Sequence, residues 1–254
     1  MTIGFLLGVI PSPSSGSIHL GPLRLNAYGL MIAIGVIAAV RIAGRRAEHK
    51  GVGTTEDISS IAMWAVPAGV IGGRAYHVLT DYERFQGQWF DAIKIWQGGL
   101  GIWGAIGFGA LAAFIFFKVK KTSLSFYQLA DAIAPGLLIA QGIGRFGNWF
   151  NAELFGRPTS LFWALEIPEE NRPVGYESFS TFHPTFLYEA LACVAIGFFI
   201  IWADKRYVMG HGRVFALYAA LYCAARGLIE TMRIDDARHI LGIRFNVFTA
   251  LFIG

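Results

Sequence analysis

Gly98-Gly-Leu-Gly-Ile-Trp-Gly-Ala-Ile-Gly-Phe-Gly-Ala-Leu-Ala-Ala-Phe-Ile-Phe-Phe117 contains no charged side chain. It is as long as the about 20 apolar residues that a helix needs to cross ~30 Å of hydrocarbon. The pattern repeats on both sides. Residues 25–44 carry only Arg41, 58–80 only Arg74, 126–144 only Asp131, 183–203 only Glu189, and 214–232 carry Arg226 and Glu230. Residues 245–254 are apolar but too few to cross, so that end reads as a seventh span cut short, with a half-helix as the alternative. The expectation is an all-α polytopic membrane protein of about seven transmembrane helices, the last apparently truncated. Residues 1–254 then form a single transmembrane domain.

Composition agrees. Charged residues make up 15% of the chain where soluble domains carry about 25%, and hydrophobic residues make up 55%. Mean hydropathy is +0.51. These values exclude disorder, collagen, coiled coil and a secreted mini-protein. Cys193 and Cys223 both lie in apolar runs, so neither a disulfide framework nor a zinc cluster is expected, and no metal or cofactor is implied. The apolar residues 3–10 have no base before them and read as an interfacial segment rather than a signal peptide.

The net charge of +4 needs no nucleic-acid partner once the bases are located. Arg41, Arg45, Arg46, Lys50, Lys118, Lys120, Lys121, Lys205, Arg206 and Arg213 crowd the short linkers after spans one, three and five. By the positive-inside rule those linkers are cytoplasmic. The amino terminus is then outside, and residues 145–182 form a small external head between spans four and five.

Span three holds Gly98, Gly99, Gly101, Gly104, Gly107 and Gly109, and span two holds Gly69 and Gly73. Small residues let membrane helices approach closely. Close packing is one reading of them, and room for a lipid chain beside a cavity is the other.

Polar groups at membrane depth are expensive, at ~2.5–3.5 kcal/mol on insertion scales, so each asks for a reason. Tyr222, Arg226, Glu230 and Arg233 share one face of the sixth span, with Arg226 and Glu230 spaced for an ion pair. Such a pair either locks two helices together or forms an anion site, for which the arginine fork suits phosphate. A second cluster, Gly142-Ile-Gly-Arg145-Phe-Gly147-Asn148-Trp-Phe-Asn151-Ala-Glu153-Leu-Phe-Gly156-Arg157, ends the fourth span. It matches G-x-G-x-x-G mechanically, but no strand precedes it and no βαβ unit surrounds it, so dinucleotide binding is rejected. An interfacial aromatic belt with ordinary caps remains possible, yet this density of charged and amide groups fits a charged headgroup better. A third cluster, His183-Pro184-Thr-Phe-Leu-Tyr188-Glu189, opens span five. His183 is a neutral cap or a proton acceptor, His77 beside Arg74 and Tyr76 is the other candidate acceptor, and Asp131 is a candidate partner for the arginines.

At these residues the chain resembles the bacterial prolipoprotein diacylglyceryl transferases. The likeness runs through Asn26-Ala-Tyr28-Gly29, Gly98-Gly-Leu-Gly, the specific Gly144–Arg157 run, His183-Pro-Thr-Phe-Leu-Tyr-Glu189 and Arg226-Gly-Leu-Ile-Glu230. The resemblance implies a multi-pass enzyme of the bacterial inner membrane with seven spans and an external amino terminus. Its implied reaction moves a diacylglyceryl group from phosphatidylglycerol to the lipobox cysteine thiol of a prolipoprotein signal peptide, releasing glycerol phosphate. This is the first step of lipoprotein maturation. The partners are then those two substrates and the surrounding lipids. Carried over by motif, Arg145 and Arg226 are the essential basic residues, with Glu153 and His183 as further catalytic candidates. Tyr28, Asn148, Asn151, Gly156, Tyr222 and Glu230 are the candidate substrate-binding residues.

One departure matters. Members of the family often carry a histidine shortly after the Gly-Gly of span three, where this chain has Trp103 or its neighbours. Indole accepts no proton, so His77, His183 or Glu153 substitutes, or no strong base is needed. The expected mechanism has Arg145 and Arg226 hold the phosphate, oriented by Glu153 and Glu230, while Tyr28 and Asn148 contact the headgroup. Rival readings are a transporter or channel, which would show inverted repeats that the sequence lacks, and another phospholipid-processing enzyme, for which no Gly-x-Ser-x-Gly elbow or metal-ligand pair is present.

Overall fold

The computed structural model describes residues 9–13, 15–20, 23–95, 98–120, 124–235, 239–240 and 243–244. The expected seventh span at 245–254 lies outside the described residues, as does most of the apolar segment at 3–10. Six α-helices carry the chain: α1 Ala27–His49, α2 Thr55–Thr80, α3 Ile102–Val119, α4 Phe126–Phe150, α5 Thr185–Tyr207 and α6 Arg213–Glu230. Each covers one expected span, and the fold is mainly helical. By length and composition, α1, α3 and α5 are each long and apolar enough to cross a membrane. Large apolar side chains stand outward on the helices, among them Met63, Ile71, Phe108, Phe198 and Leu228, as lipid contact requires.

Two compact units are present, residues 40–132 and residues 1–39 with 133–254. In the first, Thr54 and Asp57 start α2 with a reciprocal capping box. Helices α2 and α3 then meet backbone to backbone. A Cβ at Gly69 would lie 3.2 Å from the Ala105 carbonyl, and one at Gly72 or Gly104 would overlap the facing helix. Gly69, Gly72, Gly73, Gly101, Gly104 and Gly109 therefore serve packing, while a Cβ at Gly98 or Gly107 would meet nothing within 4 Å. Arg74 is buried and spends its donors on backbone carbonyls of the connection between these helices: Nε to Ala92 at 2.7 Å, Nη2 to Asp91 at 2.5 Å, Nη1 to Gly98 at 2.5 Å and to Gly99 at 3.1 Å. Satisfied in this way, the guanidinium organises a loop and leaves no open anion site.

In the second unit, α4, α5 and α6 enclose a core of Ala134, Leu138, Cys193, Ile200 and Val214. Gly35 of α1 approaches Ala140 of α4 closely, and Gly136 of α4 does the same at Ala39 of α1. Between α4 and α5 lies a mainly non-helical segment. Its sheet has β1 Ile10–Pro11 parallel to β4 Leu165–Glu166, which is antiparallel to β5 Thr181–Phe182. Phe155, Leu165, Ile167, Phe182 and Phe186 fill its core. The hairpin of β2 Ser17–Leu20 and β3 Leu23–Asn26 leads into α1. A second short hairpin pairs β6 His239–Ile240 with β7 Ile243–Arg244.

Candidate active site

Helix α4 does not stop at Gly144. It runs to Phe150, so Arg145 and Asn148 project from its last turns rather than from a loop. Two of the glycines in this stretch are packing positions. A Cβ on Gly142 would press on the Ala190 carbonyl of α5 at 3.3 Å, and one on Gly147 would run into the Tyr28 ring. After Phe150 the chain reverses through Ala152 and Leu154, both left-handed, with φ of 50° and 58°. Holding two non-glycine residues there costs roughly 1–2 kcal/mol each. The gain is position: the Glu153 amide donates to the Asn148 carbonyl at 3.1 Å, and the Glu153 carboxylate folds back over the helix end. There Oε1 accepts from Asn148 Nδ2 at 2.9 Å and from Asn151 Nδ2 at 3.3 Å.

Beyond this turn a backbone clasp ties together the segments leaving α4, entering α5 and leaving α6. The Gly156 amide donates to the His183 carbonyl at 2.9 Å, the His183 amide to Arg157 at 3.0 Å, and the Arg157 amide to Met232 at 3.0 Å. Gly156 also pairs with Arg233 in an antiparallel bridge. A Cβ on Gly156 would lie 2.9 Å from the His183 Cβ and 3.1 Å from the Met232 carbonyl, which explains a glycine here by space alone. Below the clasp, the Thr185 hydroxyl donates to the Leu154 carbonyl.

The three helix ends so fixed bring together the charges that the sequence scatters. Glu189, on α5, is 5% exposed at its side chain and lies between two guanidiniums, with Oε1 2.6 Å from Arg145 Nη2 and Oε2 2.7 Å from Arg226 Nη1. The Tyr222 hydroxyl donates to Glu189 at 3.1 Å and accepts from Arg145 Nη2 at 3.3 Å. On the other side, Arg226 Nη2 is 2.7 Å from Glu230 Oε2, which Arg233 Nη1 also reaches at 3.2 Å. Arg233 forks onto Asp235 at 2.7 and 2.8 Å. Glu230 is fully buried. Arginine and carboxylate alternate along this chain of pairs, which is what lets ions of both signs persist away from water. The side chains of Arg145 and Arg226 remain 22% and 17% exposed.

The structure thus joins Arg145, Asn148, Tyr222, Arg226 and Glu230 in one constellation. The link from Arg145 to Asn148 is a long contact of 3.5 Å. The direct contact expected between Glu153 and an arginine is not made; Glu189 pairs with Arg145 and Arg226 instead. Glu153 reaches Arg145 only through Asn148. The signal for Glu189 was present, since it is the sole charge of its span, but its pairing depends on three helices meeting. Tyr28 packs its ring on Gly147, and its amide donates to the Asn26 side chain at 2.9 Å. Asn151 and Glu153 face a polar cavity of about 440 Å3 shared with Ser15, Gly16 and Asn26.

His183 does not cap α5 with its side chain. Its Nδ1 lies 3.0 Å from the Tyr188 hydroxyl, which accepts from Trp163 Nε1 at 2.8 Å. His77 instead pairs with Asp81 at 2.9 Å. Trp103 is 47% exposed on α3. The Asp131 backbone carbonyl accepts from Arg46 at 3.4 Å. Among the described residues, no group of three or more His, Cys, Asp or Glu side chains is arranged to hold a metal ion.

The family model for prolipoprotein diacylglyceryl transferase matches residues 16–253. The chain belongs to this family. A phosphatidylglycerol–prolipoprotein diacylglyceryl transferase of Streptomyces griseus is 54% identical over 251 residues, covering 97% of this chain and 75% of its own. Proteins of the same name from Cutibacterium acnes and Corynebacterium diphtheriae are 48% and 45% identical, covering 96% and 97% of this chain and 82% and 91% of theirs. The family is one of bacterial membrane transferases, and the motif around Arg145, the Glu189 helix start and the Arg226–Glu230 pair all lie within the matched range.

Proposed function

We propose that this chain transfers a diacylglyceryl group from phosphatidylglycerol to the lipobox cysteine of a prolipoprotein, and that Arg145 and Arg226 hold the phosphate during transfer. The sulfur bonds to the glycerol carbon as that carbon's bond to the phosphate oxygen breaks. The electron pair leaves with glycerol phosphate, and the thiol proton passes to water. A thiol of pKa ~8.5 is already a few per cent thiolate at pH 7, so attack is not the hard step. The demand is for charge stabilisation at the departing phosphate, and fixed guanidiniums in a water-poor site supply it. The observation that carries this reading is the pair of arginines, from α4 and α6, on the two oxygens of Glu189. Fixed by one carboxylate, both keep N–H donors for a second anion.

In this reading Glu189 and Glu230 orient the guanidiniums, Tyr222 steadies both partners, and Tyr28 and Asn148 contact the headgroup. Asn151 and Glu153 border the polar cavity that takes the headgroup's glycerol. Gly156 keeps the clasp closed, and His183 is a secondary contributor. The six helices cross the inner membrane with the amino terminus outside, the orientation that the basic linkers favour. The head between α4 and α5 is then external, and the arginines face the outer leaflet.

The test is mass spectrometry of a lipobox peptide mixed with purified protein and phosphatidylglycerol. The expected product is the peptide with one diacylglyceryl unit on cysteine. Free fatty acid, or an unmodified peptide, overturns the reading.

A further inference from the structure

Gln141 precedes Arg145 by one helical turn, on the same face of α4. Its Nε2 donates to the Tyr218 hydroxyl at 3.1 Å. The Tyr218 ring stacks on that of Tyr222, with centroids 6.1 Å apart and planes 17° from parallel. Tyr222 in turn contacts Arg145 and Glu189. The amide is therefore held by Tyr218, whose ring stacks on the tyrosine that touches Arg145 and Glu189. Its other end is different: Oε1 is buried and has no hydrogen-bond partner among the described residues. Buried carbonyl oxygens are nearly always paired, and one left open beside a reaction site asks for a donor from a ligand.

The two substrates differ in what they offer. From its phosphate inward, phosphatidylglycerol presents phosphate oxygens and ester carbonyls, which only accept; its hydroxyls sit at the outer tip of the headgroup. Gln141 lies about 6 Å further along α4 than Arg145, on the side away from the head. A polypeptide at that depth carries backbone N–H groups, and each needs an acceptor in a place without water. A peptide drawn out of helical form to present its cysteine exposes such donors.

We propose that Gln141 Oε1 accepts a hydrogen bond from a backbone N–H of the acceptor peptide, with Tyr218 fixing the amide that receives it. Gln141 is then a positioning residue for the peptide, and this rests on the transferase reading above. The test compares wild-type protein with Gln141→Met, using phosphatidylglycerol and a set of lipobox peptides N-methylated at successive residues before the cysteine. In the wild type, one methylated position should raise the peptide KM about tenfold. Gln141→Met should raise the KM of the unmodified peptide about as much and abolish the penalty at that position. The KM for phosphatidylglycerol and the kcat should move less than twofold. Equal penalties in both proteins, an unchanged peptide KM, or a shift confined to phosphatidylglycerol overturns the proposal. Should Gln141→Met fold poorly, Tyr218→Phe is the second variant, and it must shrink the same position's penalty or the proposal fails. A wild type that modifies no peptide at all overturns the transferase reading; a wild type that works with Gln141-independent penalties overturns only this inference.

Discussion

Arg145 of α4 and Arg226 of α6, far apart in sequence, bind opposite oxygens of one carboxylate, at 2.6 and 2.7 Å from Glu189. That arrangement sets the spacing and the direction of both guanidiniums before any lipid arrives. It makes α5 the element that aligns the other two. Preorganised charge of this kind acts without reorganisation at the moment of bond breaking.

Arg226→Lys keeps the charge and loses the fork that spans Glu189 and Glu230. Transfer should fall by about 100-fold or more, in the range of losing one preorganised donor at developing charge. Near-wild-type turnover in the peptide transfer assay would refute the clamp.

Glu189→Gln and Glu153→Gln separate the two carboxylates. The first leaves two guanidiniums without their shared anion, and should cost about 3 kcal/mol of stability, at the lower end for a broken buried pair because both arginines keep some exposure. Transfer should drop with it, by tenfold or more. The second replaces an acceptor of two amide N–H groups by a side chain that still presents a carbonyl, so a loss under tenfold and an unchanged melting temperature are expected. Thermal unfolding together with turnover decides; the reverse order of sensitivities would return the orienting role to Glu153.

His183→Gln should cause only a mild loss. The ring lies against Tyr188 in a chain that ends at Trp163, and a glutamine can replace one of those contacts. Complete inactivation with normal lipid binding would instead make His183 the base that accepts the thiol proton.

Gly156→Ala tests the clasp. The new Cβ would sit 2.9 Å from the His183 Cβ, so an overpacking cost of about 1–3 kcal/mol is expected, seen as a lower melting temperature. Gly144→Ala is the control, since a Cβ there meets nothing within 4 Å and alanine favours helix. Equal melting temperatures for the two variants would show that Gly156 is kept for something other than space.

The helices were readable from hydropathy. Each of the six apolar runs read as a complete span coincides with a helix, and α1, α3 and α5 are long and apolar enough to cross a membrane. The fourth helix is the informative difference. The apolar run of the fourth span ends at Gly144, yet α4 continues to Phe150, and Gly142 and Gly147 within it are sites where another element presses on the helix. Propensity gives way to packing there, and no window along one chain reports on a neighbour.

The site divides the same way. Arg226 with Glu230 follows from a spacing of four, and Asn148 with Glu153 from a motif packed into a few residues. Glu189 between Arg145 and Arg226, Arg233 reaching back to Glu230, and Gln141 on Tyr218 join residues from different helices or beyond a helix end. Which charged and polar residue types stand within apolar runs was thus determined by the sequence alone, since hydropathy is a property of each segment by itself. Which carboxylate meets which arginine was decided only by the tertiary structure, since Coulomb attraction and hydrogen bonding act over a few ångströms and the helices must first be brought that close.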